Sequence, residues 1–370
     1  MKSEAIQTLA SASLFASIFL IPLMMRDKFG SGEAEIGLVV AAYYASLFFS
    51  SMAFGRLADV RGRRRILQAG LLVCIFASAV QYFADSSASL LAVRVLMGLA
   101  AGTFPSAIMA YAYESHGKAG RFAAYGALGW GIGTLLAGFV AVYSLMAPFL
   151  VSTALFAVAF VISLFLPFPR QKLLEVPVFP VNVIRRNAAS YTAMLLRHTG
   201  ANMIWVIYPI FLARINSDPV WIGVVYAVNA GTQFVVMQFL DRYDGRKLLA
   251  SGLVVSALTF FLFTVSENEW MVIIDQLFLG CSWALMYVGA LRCVLGKGEE
   301  RSTSSGLLDS TISLSAIFGS LAGGFIAAAF NEMATMYAAI AMSLVGFVIF
   351  LAMSNGRSKA SAQTQGRASG

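Results

Sequence analysis

Charge is what this sequence has least of. Asp, Glu, Lys and Arg make up 12% of its 370 residues, against 59% hydrophobic residues and a mean hydropathy of +0.78. A soluble globular chain carries about 25% charged residues. The shortage excludes a surface that faces water throughout, so lipid must contact most of the exterior. Cysteine is scarce too: Cys74, Cys281 and Cys293 lie in or beside apolar runs, with no histidine close in sequence. That excludes a disulfide framework and zinc-type spacing, and leaves three thiols that act as small hydrophobes. Nucleotide chemistry is also missing. Gly296-Lys297 is followed by Gly298 where a phosphate loop needs Ser or Thr. Gly129-Trp-Gly131-Ile-Gly133 lies in an apolar helix and follows no strand, so it is no dinucleotide site. No cofactor, metal site or enzymatic function is expected. In a chain this apolar the net charge of +8 reads as a topology signal, and nucleic acid is not an expected partner.

What the sequence does have is long apolar runs. A bilayer crossing takes roughly 20 residues. Runs of that size fall near 5–25, 33–55, 66–84, 88–112, 122–143, 146–167, 188–213, 219–240, 247–266, 270–292, 303–329 and 332–353. The start, Met-Lys-Ser-Glu, lacks the basic character of a secretion signal, so the first run is expected to remain as a helix. Its Ser11, Ser13 and Ser17 suit a helix that packs closely on another or faces a wet cavity. The odd-numbered connections hold only Arg26, Lys28 and Arg214 as basic residues. The even-numbered ones hold Arg56, Arg61, Arg63, Arg64, Arg65, Lys118, Arg121 and Arg170, with Lys172, Arg185, Arg186, Arg242, Arg246, Lys247, Lys297 and Arg301 after them. The positive-inside bias places both termini in the cytoplasm, which requires an even number of crossings. The longest polar connection carries Pro167, Pro169, Pro177 and Pro180 near the middle of the chain and reads as a linker. The expected division is a six-helix bundle over 1–168, a cytoplasmic linker over 169–187, a second bundle over 188–354 and a disordered tail over 355–370.

The halves echo each other. Gly62-Arg63-Arg64 follows the second run and Gly245-Arg246-Lys247 the eighth. Gly133 to Gly138 resembles Gly319 to Gly324, and Arg94 precedes Gly98 by four residues as Gln276 precedes Gly280. Such echoes at half the chain length indicate a parallel repeat. The stretch Gly55-Arg56-Leu57-Ala58-Asp59-Val60-Arg61-Gly62-Arg63-Arg64-Arg65 resembles the signature between helices two and three of the major facilitator superfamily. Arg94-Val-Leu-Met-Gly98-Leu-Ala-Ala-Gly102 is similar to that family's fourth-helix pattern. The resemblance spans nearly the whole chain. It implies an all-α membrane protein of about twelve transmembrane helices in two pseudo-symmetric six-helix bundles that rock about a central cavity. It also implies a gating motif of Gly55, Asp59, Gly62, Arg63 and Arg64, in which Asp59 latches one side shut against Arg301-Ser302-Thr303-Ser304 at the start of the eleventh helix. Arg242 occupies the place of Asp59 in the second copy, so a latch role is stronger for the first copy.

Few ionisable residues lie within the runs, and each is costly there unless it has a partner or a cavity. Arg94, Asp275, Arg197, His198 and Asp309 are the candidates for a substrate cavity or ion coupling. Arg94 and Asp275 also lie near outer helix ends, where snorkelling or a boundary position would explain them. Of Arg197 and His198, one is expected to line the cavity and the other to be structural, while Glu114 and Arg292 belong to the cytoplasmic rim. The slight excess of basic groups hints at an anionic substrate. Aromatics such as Tyr43, Tyr44, Trp130, Trp205, Tyr208, Trp283 and Tyr287 suit a bulky apolar or sugar-like one. The fifth helix has several glycines but lacks the proline of the drug/proton antiporter motif, which tells against that subgroup. The resemblance thus implies a proton-coupled secondary transporter of a small solute, multi-pass in the cell membrane. Its expected partners are that solute, protons or another coupling solute, and membrane lipids. Export of amphipathic compounds, or a non-transporting sensor or channel, are the alternatives.

Overall fold

The computed structural model describes residues 2–18, 21–167, 171, 173–214 and 219–368. Arg170 and Lys172, counted among the basic linker residues, lie outside them. All regular structure among the described residues is helical. In chain order it comprises α1 (Lys2–Ile18), α2 (Ile21–Phe29), α3 (Glu33–Arg61), α4 (Arg63–Gln81), α5 (Ser87–Ala101), α6 (Pro105–His116) and α7 (Ala119–Ala141). α8 (Ala147–Leu164) ends the first half. The second comprises α9 (Val181–Arg214), α10 (Pro219–Met237), a 3₁₀ turn at Leu240–Arg242, α11 (Gly245–Val265), α12 (Glu269–Leu295), α13 (Arg301–Ala329) and α14 (Glu332–Ala368).

These fourteen helices make twelve crossings, because α1 with α2 and α5 with α6 are each one broken crossing. Nine stretches among the described residues are long and apolar enough to cross a membrane, the α5–α6 pair counting as one, Ser87–His116. That pair was expected as a continuous helix. Pro105 sits at the first position of α6 and lacks an N–H, so no helical hydrogen bond can be donated there, and the chain turns at 102–104 before resuming. α9 begins seven residues earlier than the apolar run, directly after Pro180. Helix continues through polar residues where lipid contact stops, so hydropathy marks the buried length and not the helix end. α14 likewise runs as helix through Ala368, across the segment read as disordered. Its Ala, Gln, Lys and Arg are good helix formers on an already nucleated helix.

The packing repeats. In the first half α1 lies on α7 and α8, α3 on α5, and α4 on α5 and α8. In the second, α9 lies on α13 and α14, α10 on α12, and α11 on α12 and α14. Between halves the partners exchange, with α3 against α13 and α10 against α7. That is a pseudo-twofold relation between two six-crossing bundles. Glycines set the approach: a Cβ at Gly129 or Gly133 of α7 would collide with the Thr8 or Ala12 backbone of α1, and one at Gly319 or Gly323 of α13 with the Thr199 or Met203 backbone of α9. Small residues let membrane helices approach to backbone contact. Gly138 and Gly324, half of the sequence echo, have nothing within 4 Å of such a Cβ, so the structural repeat pairs Gly129 with Gly319 and Gly133 with Gly323. The α1 start, the linker and the α3–α4 elbow share one face, where Lys2 Nζ donates to the Phe165 carbonyl at 3.0 Å. We call it the basic face.

Candidate functional site

Two seams join the halves, and each is closed at the basic face by an acid on a helix N-terminus. In the α3–α13 seam, Gly55 lies against α13 so closely that a Cβ would stand 2.8 Å from the Ser302 carbonyl and 2.9 Å from Gly306 Cα. This contact sets Asp59 against the first turn of α13, where unpaired N–H groups concentrate partial positive charge. Asp59 is fully buried, and its Oδ1 accepts from the Ser302 N–H at 3.3 Å. Its Oδ2 accepts from the Thr303 N–H and hydroxyl, each at 2.8 Å. Arg63 Nη2 donates to Oδ1 at 2.9 Å, and Arg63 Nε to Ser302 Oγ at 2.8 Å. Gly62, at φ 103°, allows the elbow that folds Arg63 back onto Asp59. Glu114 accepts from Arg63 Nη1 and, at 2.8 Å, from Arg301 Nη1, so it bridges both halves. Arg64 is exposed on the rim with Arg61 and Arg65.

The second seam has its own latch, which the sequence reading missed. Asp241 Oδ1 and Oδ2 accept from the Gly120 and Arg121 N–H groups at 2.8 Å each, capping α7 as Asp59 caps α13. Arg292 Nη1 holds the Asp241 carbonyl at 2.6 Å and its carboxylate at 3.6 Å. The 3₁₀ turn at Leu240–Arg242 advances the acid by one position relative to the first copy. Alignment on the glycines therefore puts Arg242 where an acid was sought. The visible signal was Asp241 itself, one residue away. Asp244 caps α11, accepting from the Arg246 and Lys247 N–H groups.

From these latches the seams run inward. Ser310 Oγ donates to the Phe48 carbonyl at 2.9 Å, and Tyr125 meets Phe234 at 5.9 Å. Further in, Trp130 meets Tyr226 at 6.2 Å. These contacts between the helical bundles lie between the basic face and this middle level.

Half-buried aromatics gather at that level. Phe15 touches Trp130, and Trp205 stacks on Tyr226 with centroids 6.0 Å apart. One helical face of α9 carries both Trp205 and His198, seven residues apart. His198 lies on Trp283 at 4.8 Å, and Trp283 stacks on Tyr287 at 5.2 Å. Asp309 is on α13 next to Ser310, close enough to Tyr191 and Tyr287 to interact with them electrostatically. Among the described residues no hydrogen bond or ion pair reaches its carboxylate, and its side chain is partly accessible.

The other sequence candidates lie elsewhere. Arg94 is buried inside the first half, with Nη1 3.0 Å from Gln81 Oε1 and 3.4 Å from the Ser17 carbonyl, and its guanidinium 4.1 Å from the Tyr43 ring centre. Arg197 is buried inside the second half, donating to Ser256 Oγ at 2.8 Å and Ser282 Oγ at 3.1 Å, between Phe260 and Trp283. Asp275 accepts from Ser266 Oγ at 2.6 Å near the start of α12. Beside it a polar chain joins Tyr208, Gln276, Asn229 and Gln233 across α9, α12 and α10. So the structure groups His198 and Asp309 with the aromatic faces, and separates Arg94, Arg197 and Asp275 into the bundles.

Comparison with known proteins accords with this architecture. The chain is similar to the quinolone resistance protein NorA of Staphylococcus aureus, 24% identical over 364 residues and covering 92% of each chain. It is also similar to the class E tetracycline resistance protein of Escherichia coli, 25% identical over 346 residues, with 85% of this chain and 84% of that protein covered. The fold matches the crystal structure of the human organic anion transporter MFSD10 (TETRAN) at a TM-score of 0.78 and 15% identity, over 94% of this chain and 98% of that one. The family model described as Major Facilitator Superfamily matches residues 5–195 and again 190–369, one match for each of the two bundles that pack alike. A doubled bundle with exchanged partner helices, closed by two acid-capped seams, is thus the form this family takes here, and the chain belongs to the major facilitator superfamily.

Proposed function

We propose that this transporter exports amphipathic aromatic compounds by alternating access, in exchange for protons, with Asp309 as the coupling carboxylate. The observation that carries the reading is the position of Asp309: without a hydrogen-bond partner among the described residues, at the closed end of the seam, beside the His198–Trp283–Tyr287 stack. A lone carboxylate in a low-dielectric path is costly while charged. Either a proton or a cationic or hydrogen-bonding group of a solute relieves that cost, and the two relieve it in turn. This is the condition for exchange. Aromatic faces beside it hold planar rings and attract cations. The two buried arginines, which hinted at an anionic substrate, are engaged within their own bundles, Arg94 by Gln81 and Arg197 by Ser256 and Ser282, with Arg197 also against the Trp283 ring. The names of the relatives point the same way: quinolones and tetracyclines are multi-ring amphiphiles. The positive-inside bias assigns the basic face to the cytoplasm, so the latched arrangement is closed to the cytoplasm.

The test is transport in proteoliposomes with an imposed pH gradient. A tetracycline or a quinolone is expected to move against its gradient only while the proton gradient stands, and to raise the melting temperature of the purified protein. Flux that ignores the gradient, or flux of compact organic anions in place of the ring compounds, would refute the assignment.

A further inference from the structure

Exchange sets a condition that the two seam latches do not meet by themselves. Asp309 must lose its proton to the cytoplasm only while the basic face is open, because a route open at all times would drain the gradient with no solute moved. The seam is not the only way from Asp309 to that face. Inside the second half, polar groups between α9 and α13 point the same way. Asn187, Tyr191 and His198 share one face of α9. Tyr191 meets Ser304 of α13 and is close enough to Asp309 to interact with it electrostatically. Ser304 precedes Asp309 by five residues, about 7.5 Å nearer the start of α13. Asn187, Tyr191 and Ser304 are all buried, and beyond them, at the basic face, Arg186 donates to Glu300 at 2.7 Å.

Two atoms along this line have hydrogen-bonding capacity left over. Asn187 Oδ1 is buried without a hydrogen-bond partner among the described residues, and so is His198 Nδ1 deeper on the same face. Asn187 Nδ2 stands 3.5 Å from Tyr191 Oη and 3.4 Å from Ser304 Oγ, at the outer limit of a hydrogen bond. Buried polar atoms that lack protein partners are the ones that hold internal water. One contact interrupts the line. The Tyr191 hydroxyl commits its only proton to the Ser304 carbonyl at 2.9 Å. That carbonyl belongs to the turn that carries the Asp59 latch, since the neighbouring Ser302 and Thr303 N–H groups donate to Asp59.

We propose that the proton released by Asp309 reaches the cytoplasm through the second half, along the α9–α13 contact past Asn187, and that Tyr191 gates this route, held shut by its bond to Ser304 while Asp59 caps α13. This route rests on the reading of Asp309 as the coupling carboxylate and adds the way its proton leaves. When Asp59 withdraws, the first turn of α13 loses the acceptor of two N–H groups and loosens. The Ser304 carbonyl moves with it and frees the Tyr191 hydroxyl. The proton then leaves the Asp309 carboxyl for a water, passes between waters held by Tyr191 and Asn187, and joins the cytoplasmic water. A solute entering through the seam takes the proton's place at the carboxylate, so the two cross without sharing a path.

The experiment follows proton entry into proteoliposomes with an entrapped pH dye, under an imposed pH gradient and with no solute. Tyr191→Phe keeps the ring and loses one neutral hydrogen bond, so its leak is expected to exceed that of the wild type by up to about tenfold. Tyr191→Ala, which also removes the ring, is expected to leak more, and Tyr191→Ala with Asp309→Asn to be as tight as the wild type. Spin labels on Ser115→Cys and Arg246→Cys, across the halves at the basic face, are expected to report the same distance with and without Tyr191→Ala. Asn187→Leu is expected to slow gradient-driven export of tetracycline at unchanged KM, and Asn187→Ser to restore part of the rate. Tight Tyr191 variants, a leak that survives Asp309→Asn, or a leak that comes with a longer spin-label distance overturns the gate, and undiminished export by Asn187→Leu overturns the route. Coupled transport by Asp309→Asn alone sinks the coupling role, whereas an uncoupled Asp309→Asn beside tight Tyr191 variants sinks only the gate.

Discussion

Asp59→Asn is expected to open the cytoplasmic face. The substitution keeps the size of the side chain but removes the charge that Arg63 and the α13 N-terminus share. Breaking a buried ion pair by removing one partner costs about 3–5 kcal/mol. At 1.4 kcal/mol per factor of ten, that is a shift of roughly a hundredfold or more away from the latched state. The check is the rate at which a maleimide reagent labels Ser305→Cys, 2% exposed in the latched form, in a chain whose Cys74, Cys281 and Cys293 are replaced by serine. Asp241→Asn serves as the internal comparison. Asp241 also accepts two backbone N–H groups, both at 2.8 Å, but its carboxylate is 14% exposed and its arginine stands 3.6 Å away. Its labelling rate is expected to rise less than that of Asp59→Asn, and the double variant to exceed either. Unchanged labelling of Asp59→Asn would remove the latch from the account.

Asp309→Asn is expected to abolish proton-driven accumulation, a loss of a hundredfold or more. It should leave ligand-induced thermal stabilisation measurable, because the aromatic wall is intact. Exchange of labelled for unlabelled solute without a gradient should persist, since a permanently neutral side chain blocks only the proton branch of the cycle. Asp275→Asn is the discriminating control. Its carboxylate is engaged by Ser266 at the far end of α12 and touches none of the His198–Trp283–Tyr287 stack. It is expected to keep gradient-driven transport within about tenfold of wild type, on the scale of a lost charged hydrogen bond of about 1.5–3 kcal/mol. The opposite pattern, with Asp275→Asn uncoupled and Asp309→Asn coupled, would move the coupling role to α12.

How much of this could be read from the chain alone depends on distance along it. Apolar runs announce crossings because lipid demands them locally, so the twelve-crossing architecture is legible in hydropathy. Helix ends are not: α9 and α14 continue as helix past the apolar runs, through Val181–Arg186 and through the polar tail, where hydropathy gives no signal. The Asp59 contact belongs to a contiguous motif in which Gly55, Asp59 and Gly62 each have a local physical role. The Asp241 contact depends on a one-residue advance in a 3₁₀ turn, which no spacing rule reveals. Arg94 and Arg197 looked like cavity residues because membrane arginines need partners. The partners are Gln81 and the Tyr43 ring for one, and Ser256, Ser282 and two ring faces for the other, all distant in sequence. The missing proline of α7 tells against drug export. The aromatic seam from Phe15 to Tyr208, which only the assembled halves display, supports the proposal of planar ring compounds as the solute.

The central claim is that two rigid bundles pivot about this aromatic level, opening one face as the other closes. Spin-label distances test it most directly. One pair, Ser115→Cys with Arg246→Cys, spans the halves at the basic face; the other, Tyr143→Cys with Trp270→Cys, spans them at the opposite face, all four positions being exposed. Acidification or added tetracycline is expected to lengthen one distance while shortening the other, and Asp59→Asn to lengthen the basic-face pair. Two distances that stay fixed under every condition, or that lengthen and shorten together, would contradict the account.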